Sequence, residues 1–380
     1  VDDGITIDIG GGSSDMALIK EGEIIDTYSL DLGTVRLKEL FFDKNEDIVT
    51  INTNAKAYIQ KELLMLPDAF KSEFAISIGG TARTLSKSIM KQIEYPLDKL
   101  HAFTFKIDEH ASYLKQIPLS PIDKLKKFKL KKNRYDTIRE GTLIFNEILS
   151  HIGANSVISS SVGVREGVFL EKLLEKDNYQ FPQSKNPSVS SILDRFKPLF
   201  NADKQRSKVK AHLAFKLYDV LQTDIQDEKQ FENELFWALK LSSIGKTLTI
   251  YDAHKHAFYI ATQELNYGFT HRQILLISTL LRMHGKELIE KSHFKAYKSL
   301  LPKKQHLKWL RFIYSLTVFL HEASHSANIS FDYQDKTLTI TSDKPLYLAK
   351  ENIRDLELPV DLDIIIIDDD VLPKNKNLGI

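Results

Sequence analysis

Short β-rich runs alternate with helical periodicity over the first 180 residues of the chain. The first three runs are separated only by Gly-Gly-Gly-Ser-Ser and Glu-Gly, which predicts two consecutive hairpins. These runs are Ile5–Ile9, Asp15–Lys20 and Glu23–Ser29. Later patterns predict helices at Val35–Phe42, Val49–Leu66, Thr81–Met90, Arg134–His151 and Arg165–Leu174, and strands at Phe74–Ile78 and Val157–Ser159.

The order of these elements predicts the class of the first domain. Three antiparallel strands followed by alternating helices and strands are the arrangement of a ribonuclease-H-like half domain, the repeating unit of the actin-like phosphotransferases. We therefore expect an α/β ribonuclease-H-like (actin-like) lobe over residues 1–180.

The pattern changes twice later in the chain. Over residues 187–327 apolar positions recur every three or four residues, as in Ile274–Leu281, which predicts an all-helical domain. The polar, Pro-rich stretch before it is typical of a linker. After Asn328, apolar and polar residues alternate with a period of two on both sides of Gln334–Lys336. This change predicts a hairpin within a small C-terminal α+β cap over residues 328–370.

Composition excludes several classes of protein. The 380 residues are 42% hydrophobic and 27% charged, which is the balance of a folded protein with two or three domains. A formal net charge of +1 leaves phosphate chemistry to local sites. The absence of cysteine excludes disulfides and thiolate zinc sites and favours the cytoplasm. No apolar run approaches the roughly 18 residues of a membrane span, so we expect no membrane partner.

A glycine-rich bend between the first two predicted strands contains the first candidate site. Glycines there let main-chain N–H groups approach an anion, and hydroxyl groups add further donors. Asp8 and Asp15 bracket this bend and are the candidate catalytic residues, which would hold Mg²⁺ or orient an attacking water. The alternative is a hairpin that binds nothing. The candidate phosphate ligands are Gly11, Gly12, Ser13 and Ser14.

A second glycine pair follows a predicted strand and opens a predicted helix. That position directs helix N-terminal amides and the positive end of the helix dipole at a ligand. The alternative is a tight strand-to-helix turn that needs no ligand. The candidate binding residues on this side are Gly79, Gly80, Thr81 and Arg83.

In combination these motifs resemble the exopolyphosphatase and guanosine pentaphosphate phosphatase family of the actin-like superfamily. The helical region is also similar to the third domain of that family, and it resembles the metal-dependent HD-like phosphohydrolases. The matching stretches are Asp8–Asp15, Gly79–Arg83, Arg134–Gly141, Ser161–Val168, Ala238–Lys246, His254–His256 and Thr270–Arg272.

The resemblance implies hydrolysis of a terminal phosphoanhydride, with Mg²⁺ neutralising phosphate oxygens and water attacking in line. The expected substrate is inorganic polyphosphate, guanosine pentaphosphate or both, and Arg134 is a further substrate-binding candidate. A non-catalytic guanosine tetra- or pentaphosphate regulator and an actin-like kinase are the alternatives. We expect a cytoplasmic protein and a homodimer.

Three features depart from the family pattern. The family carries a first lobe, with a phosphate loop and a glutamate thought to act as base, ahead of the point where this chain starts. We therefore expect that an upstream part is missing. Asp15 stands where the family usually has Glu. The helical domain reads Ser242-Ser243 where HD-like hydrolases have their metal-binding His-Asp pair, which predicts a binding and dimerisation scaffold.

Two further patterns have ordinary structural explanations. His321 and His325 fit the HExxH pattern of zinc proteases, and His254 and His256 have a His-x-His spacing, but we expect no zinc at either pair. Basic residues are concentrated in 121–134 and in 204–210, as a cationic track for a polyphosphate chain requires. The alternative for both runs is a solvated surface. Aromatic residues are not interleaved with them in the manner of a single-stranded nucleic-acid channel, so we expect no nucleic-acid partner.

Overall fold

A computed structural model describes residues 2–175, 192, 204–225, 230–284 and 290–368, excluding the side chains of 204–208. The chain forms two compact units, Val1–Phe181 and Pro182–Ile380. Within the described residues, no helix is both long enough and apolar enough to cross a membrane.

A six-stranded mixed sheet is the centre of the first unit, with the strand order β3-β2-β1-β4-β6-β5. The first three strands pair antiparallel, β1, β4 and β6 run parallel, and β5 is antiparallel to β6. The strands are β1 (Gly4–Ile9), β2 (Ser14–Lys20), β3 (Glu23–Leu30), β4 (Phe74–Ile78), β5 (Thr104–Lys106) and β6 (Ser156–Ser159).

Helices cover this sheet and complete the core. One of them, α5, contacts α1 to α4 as well as β1. A π-helical turn at Lys38–Phe42 and two short 3₁₀ helices, Ile122–Phe128 and Lys132–Arg134, connect the longer elements. The helices are α1 (Thr34–Leu37), α2 (Ile48–Leu63), α3 (Gly79–Gln92), α4 (Ile107–Gln116), α5 (Ile138–Ile152) and α6 (Val164–Leu174).

The burial of side chains follows from the position of each strand in the sheet. Ile5 and Ile7 of β1 are completely buried, as expected of a strand with neighbours on both sides. At the sheet edge, β3 exposes Ile24 and Ile25. The predicted α/β class is therefore confirmed, with the first three strands and their hairpins as expected.

The predicted start of one helix is wrong. We expected a helix from Arg134, but α5 begins at Ile138 and Arg134 ends a 3₁₀ turn, with its N–H donating to the Lys131 oxygen at 3.0 Å. Sequence patterns also did not indicate β5 or α4. Thr104–Lys106 has only three residues, too few for period two to be visible.

A glycine in α5 allows three helices to meet closely. A Cβ added at Gly141 would lie 2.7 Å from Thr81 Oγ1 and 3.0 Å from Thr34 Cγ2. Both distances are shorter than ordinary van der Waals contact, so a side chain here would separate α5 from α1 and α3. Gly141 thus positions the N-terminal ends of α1 and α3 beside each other.

The second unit is mainly helical and is built around one buried helix, α12. Every residue from Trp309 to His321 is buried, and α12 contacts α7, α8, α10 and α13. A helix that is buried on all sides is expected at the centre of a domain. The helices are α7 (Lys204–Ile225), α8 (Glu232–Lys240), α9 (Ala253–Glu264), α10 (His271–Arg282), α11 (Lys291–Tyr297), α12 (Lys304–Ala323) and α13 (Tyr347–Arg354).

A three-stranded sheet, ordered β7-β8-β9, belongs to the same unit. The predicted hairpin is present as β7 (Ile329–Gln334) and β8 (Thr337–Ser342). The chain then passes through α13 and adds β9 (Asp363–Asp368) parallel to β8. Tyr333 donates a hydrogen bond to Asp224 of α7 at 2.6 Å, which ties the hairpin to the helices.

A buried carboxylate lies near the start of α5. Glu140 has no exposed surface, and neither carboxylate oxygen has a hydrogen-bond partner among the described residues. Arg139 NH2 is 3.8 Å away. Burial raises the pKa of Glu140 to about 7, although the charges of Arg139 and Lys38 act in the opposite direction. The carboxyl group is therefore held partly protonated at neutral pH.

We expect Glu140→Gln to stabilise the protein at high pH. Because the pKa in the folded protein exceeds the unfolded value, wild-type stability falls as pH rises from about 4 to about 7. The variant lacks this loss, so its free energy of unfolding at about pH 8 should exceed that of wild type by about 1–3 kcal/mol. Urea unfolding at several pH values measures this, with exposed Glu46→Gln as control. Parallel pH profiles for wild type and Glu140→Gln would contradict it.

Candidate functional site

Parallel pairing brings three loops to one edge of the large sheet. β1, β4 and β6 run in the same direction, so their carboxyl ends lie side by side. A cleft of about 510 Å³ opens there. It is lined by Asp8, Ile9, Gly10, Gly11, Thr34, Ile78, Gly79, Gly80, Thr81, Arg83, Arg134, Thr137, Gly163, Val164, Arg165 and Glu166.

The two candidate carboxylates are direct cross-strand neighbours. Asp8 of β1 is in register with Asp15 of β2, so both side chains are on one face of the sheet. Asp8 lines the cleft, whereas Asp15 is exposed and lies outside the lining, with its Oδ1 accepting a hydrogen bond from Ser29 Oγ at 2.5 Å. Burial and the charge of Asp15 raise the pKa of Asp8, and Arg83 partly offsets this.

Gly79 allows Asp8 to reach the helix that begins beside it. Its φ of +84° lies in the left-handed region. A Cβ at this position would be 2.1 Å from Asp8 Oδ1, well inside contact distance. A side chain at 79 would therefore both strain the backbone and displace the carboxylate.

Two arginines flank the N-terminus of α3. Arg83 Nε donates to the Gly79 oxygen at 3.0 Å, and its NH1 donates to the Ser161 oxygen at 3.2 Å, so it joins α3 to the loop after β6. Arg134 packs on Gly80, where a Cβ would be 2.9 Å from Arg134 NH1. The missing Cβ at Gly80 lets this guanidinium approach the main chain.

The glycine-rich bend is held in place through its carbonyl groups. Gly11 O accepts hydrogen bonds from the N–H groups of Val35 and Arg36 at 3.0 and 3.2 Å. Gly33 packs against the same peptide, since a Cβ there would be 2.1 Å from Gly11 O. Within the bend, Gly11 lines the cleft, while Gly12 and Ser13 do not.

Ser14 has a structural environment that differs from the one we expected. Its side chain is completely buried, and its hydroxyl donates to the Leu32 oxygen at 2.5 Å. This hydrogen bond ties β2 to the segment between β3 and α1. Ser14 lies outside the cleft lining, so its predicted role as a phosphate ligand would require this hydroxyl to leave its partner.

Two helices direct their N-termini at the cleft. No side chain caps α3, so its first N–H groups are available to a ligand. At α6 the Glu166 carboxylate accepts a hydrogen bond from the Gly163 N–H at 2.8 Å, and this bond lowers the pKa of Glu166. The positive ends of both helix dipoles favour an anion between them.

The cleft also contains residues that the sequence interpretation did not single out. Thr34 begins α1, Thr137 precedes α5, and Arg165 lies at the start of α6. Signals were available for two of them, because Thr137 and Arg165 lie in stretches that match the family, and Gly163 precedes a helix that follows a strand. Thr34 carries no such signal, since tertiary packing alone brings it here.

The histidine patterns of the second unit do not form a metal cluster. α12 ends at Ala323, so His325 lies beyond the helix and its Nδ1 hydrogen-bonds the His321 oxygen at 2.7 Å. Ser242 Oγ accepts a hydrogen bond from Lys210 Nζ at 2.5 Å. Across the part of the chain that the structure describes, no three His, Cys, Asp or Glu side chains are grouped to hold a metal.

Substituting Gly79 should damage the site, whereas a substitution at Gly12 should not. We expect Gly79→Ala to lower the free energy of unfolding by at least about 1 kcal/mol, because the new Cβ meets Asp8 at a positive φ. Gly12→Ala has open space around the added Cβ and should change stability by less than about 0.5 kcal/mol. Urea unfolding compares the two variants. Equal losses of unfolding free energy would contradict the close approach of Asp8 to Gly79.

The two serines of the bend should differ in their effect on stability. Ser14→Ala leaves the buried Leu32 oxygen without its donor and should cost about 1–3 kcal/mol of unfolding free energy. Ser13→Ala should change the free energy of unfolding by less than about 0.5 kcal/mol. Because both residues lie outside the cleft lining, neither variant should change tripolyphosphate binding through a lost contact. Unfolding curves and calorimetric titrations of both variants test this, and weakened tripolyphosphate binding by a stable Ser13→Ala protein would show that Ser13 does contact phosphate.

Comparison with known proteins identifies both units. Residues 2–176 match the Ppx/GppA phosphatase family, and residues 189–360 match the Ppx/GppA phosphatase, domain III. A curated relative, the bifunctional 3-dehydroquinate synthase/phosphatase of Fusobacterium nucleatum, is 31% identical over 176 residues. That match covers 45% of this chain and 26% of the relative.

Solved structures of the same family are also similar. A Ppx/GppA family member from Aquifex aeolicus is 24% identical, with a TM-score of 0.40 over 46% of this chain and 57% of that chain. An exopolyphosphatase from Cytophaga hutchinsonii is 20% identical, with a TM-score of 0.41 over 45% of this chain and 57% of that chain. The chain thus spans about a quarter of the curated relative and little more than half of these structures. With both family matches together extending over residues 2–176 and 189–360, the chain belongs to the Ppx/GppA phosphatase family.

Proposed function

We propose that the cleft binds the terminal phosphate of a phosphoanhydride and that the protein hydrolyses it. Inorganic polyphosphate and guanosine pentaphosphate are the candidate substrates. The observation that carries this proposal is the meeting of an acidic strand end, Asp8, with an uncapped helix N-terminus and two arginines in one cleft. Family membership supports phosphatase activity in general.

Phosphate binding is assigned to the basic side of the cleft. The N–H groups at the start of α3 and the Thr81 hydroxyl would donate to phosphate oxygens. Arg83 and Arg134 would supply charge-assisted hydrogen bonds, which are about twice as strong as neutral ones. Arg83 is already oriented by two main-chain oxygens, so little side-chain freedom is lost when phosphate binds.

The carboxylate pair suits a divalent cation with oxygen ligands. Asp8 and Asp15 are cross-strand neighbours of like charge, and their repulsion contributes to the raised pKa of Asp8. A cation between them would relieve that repulsion. Mg²⁺ commonly uses one or two carboxylates together with water and substrate phosphates. When bound, it would neutralise charge on the phosphate oxygens.

The remaining role of these carboxylates is to orient water. The Ser29 hydroxyl fixes Asp15, whose second oxygen is available to accept a hydrogen bond from water. In hydrolysis the water oxygen forms a bond to phosphorus while the bond to the bridging oxygen breaks. The leaving phosphate keeps the electrons of that bond and takes up the proton that the water loses, so that the products are orthophosphate and a chain shorter by one phosphate.

One observation favours a second candidate, a guanosine tetra- or pentaphosphate binder without turnover. Asp15 lies outside the cleft lining and is one methylene shorter than the glutamate that the family usually has. A carboxylate that cannot reach the phosphate would leave binding intact and remove catalysis. Phosphate release and binding, measured for both substrates with the full-length natural protein, separate the two functions. Tight binding without release would support the second candidate.

We expect Asp15→Asn to lose hydrolysis and keep binding. Asparagine preserves shape but removes the charge that acts in the transition state, so kcat should fall by at least about 10²-fold with little change in substrate affinity. Phosphate release and calorimetric binding by the full-length protein provide the two readouts. Asp26→Asn, on the exposed edge strand β3, is the matched control. Normal turnover by Asp15→Asn would contradict the catalytic role and leave Asp15 with a structural role in the hairpin.

A further inference from the structure

The loop between β6 and α6, residues 160–163, holds one of the arginines of the cleft. The Ser161 oxygen accepts a hydrogen bond from Arg83 NH1 at 3.2 Å, while the Gly79 oxygen accepts one from Arg83 Nε at 3.0 Å. A guanidinium group is planar, so two such bonds fix its direction. The direction of Arg83 therefore depends on where Ser161 lies.

Ser161 is itself held by a histidine that is distant in sequence. Its main-chain N–H donates a hydrogen bond to His101 Nδ1 at 3.4 Å. The other N–H groups of the loop, at residues 160, 162 and 163, donate to the Ser77 oxygen, to Ser160 Oγ and to the Glu166 carboxylate. All four N–H groups of the loop are therefore occupied, so the loop serves to hold Arg83 and not to bind an anion through its main chain.

We propose that His101 is a positioning residue for phosphate binding, because its ring holds Ser161 and Ser161 in turn holds Arg83 at the cleft. The proposal rests on the phosphate-binding role proposed for the cleft and adds to it a residue from outside the lining. His101 does not line the cleft, whereas Arg83 does. The ring therefore acts through Arg83 and not on the substrate.

Hydrogen bonds to the end of β6 fix the segment that carries this ring. Ala102, the next residue, donates its N–H to the Ser159 oxygen at 2.9 Å, and Ser159 N–H donates to the Phe103 oxygen at 2.8 Å. Phe103 is buried in the core. These bonds keep His101 beside the chain as it leaves β6, which is where Ser161 follows.

The backbone beside the ring is strained. Ala102 has a φ of 66°, in the left-handed region that favours glycine. A non-glycine residue keeps such a conformation only where the surrounding structure determines it. The hydrogen bonds with Ser159 are the contacts that do so here. The fold, and not a local preference, thus sets the position of the ring.

The hydrogen bond to Ser161 requires a neutral ring. In a neutral imidazole one nitrogen accepts and the other carries the proton, whereas both nitrogens donate in the imidazolium ion. Nδ1 can accept from Ser161 only when the proton is on Nε2. Burial, followed by the charge of Lys99, lowers the pKa of His101, so the ring is neutral at pH 7.

The test compares three substitutions of this one side chain. His101→Asn keeps an acceptor, because the amide Oδ1 can take the place of Nδ1. His101→Leu removes the acceptor, and His101→Gln moves it one methylene further from the main chain. The control is His212→Leu, at an exposed histidine of α7. Urea unfolding verifies that each variant is folded, and the Asn and Gln variants give the same comparison if the Leu variant is unstable.

Two readouts are measured with this chain. Calorimetry gives the affinity for tripolyphosphate, and NMR relaxation of the Arg83 Nε–H group reports the order of the guanidinium in the absence of ligand. We expect His101→Leu and His101→Gln to weaken binding about three- to tenfold and to make Arg83 mobile, because the side chain must then be ordered on binding. His101→Asn and His212→Leu should stay within about twofold of wild type.

A double-mutant cycle shows whether His101 acts through Arg83. In an Arg83→Ala background, His101→Leu should cause no further loss of affinity. An equal loss in both backgrounds, wild-type affinity for His101→Leu, an ordered Arg83 in that variant, or an equal loss in His101→Asn would each overturn the proposal. If wild type binds no tripolyphosphate, the function proposed for the cleft fails instead, and the order of Arg83 alone then decides the role of His101.

Discussion

The parallel pairing of β1, β4 and β6 is the constraint on which the site depends. Parallel strands place the same end of every strand at one edge, so each following loop begins at nearly the same place. Asp8, the start of α3 and the start of α6 come together for this reason, although they are far apart in sequence. Antiparallel β2 returns Asp15 to the same edge. The cleft is therefore a property of the topology and not of any one motif.

Close main-chain approach then brings functional side chains together at this edge. Gly79, Gly80 and Gly141 lie where a Cβ would collide with Asp8, Arg134 and Thr81. Their effect is to let these side chains approach the main chain more closely than bulkier residues permit. At Asp8, burial and the like charge of its cross-strand neighbour Asp15 then raise the pKa. An arrangement that costs stability in the free protein favours a ligand that relieves it.

Patterns in the sequence predicted long elements and glycine turns, but not the tertiary environment of single side chains. The three hairpin strands and the buried helices have strong periodicity, and both glycine motifs do reach one cleft. Ser14 is an example of a side chain whose environment the sequence did not predict, because only the fold brings its hydroxyl to the Leu32 oxygen. The short strand β5 and the first residue of α5 were not predicted, because both are determined by tertiary packing and not by the local sequence.

The small sheet of the second unit has a consequence for how the chain is synthesised. Its central strand, β8, pairs with β7 across a tight hairpin but with β9 only after a helix has been added. Until Asp363–Asp368 leaves the ribosome, β8 presents an open edge that other chains can join. Asp368 further anchors the start of α13, accepting from Leu346 N at 2.8 Å and Lys350 Nζ at 2.6 Å. Premature termination before this last strand would thus yield an aggregation-prone product, even though the cleft of the first unit would be complete.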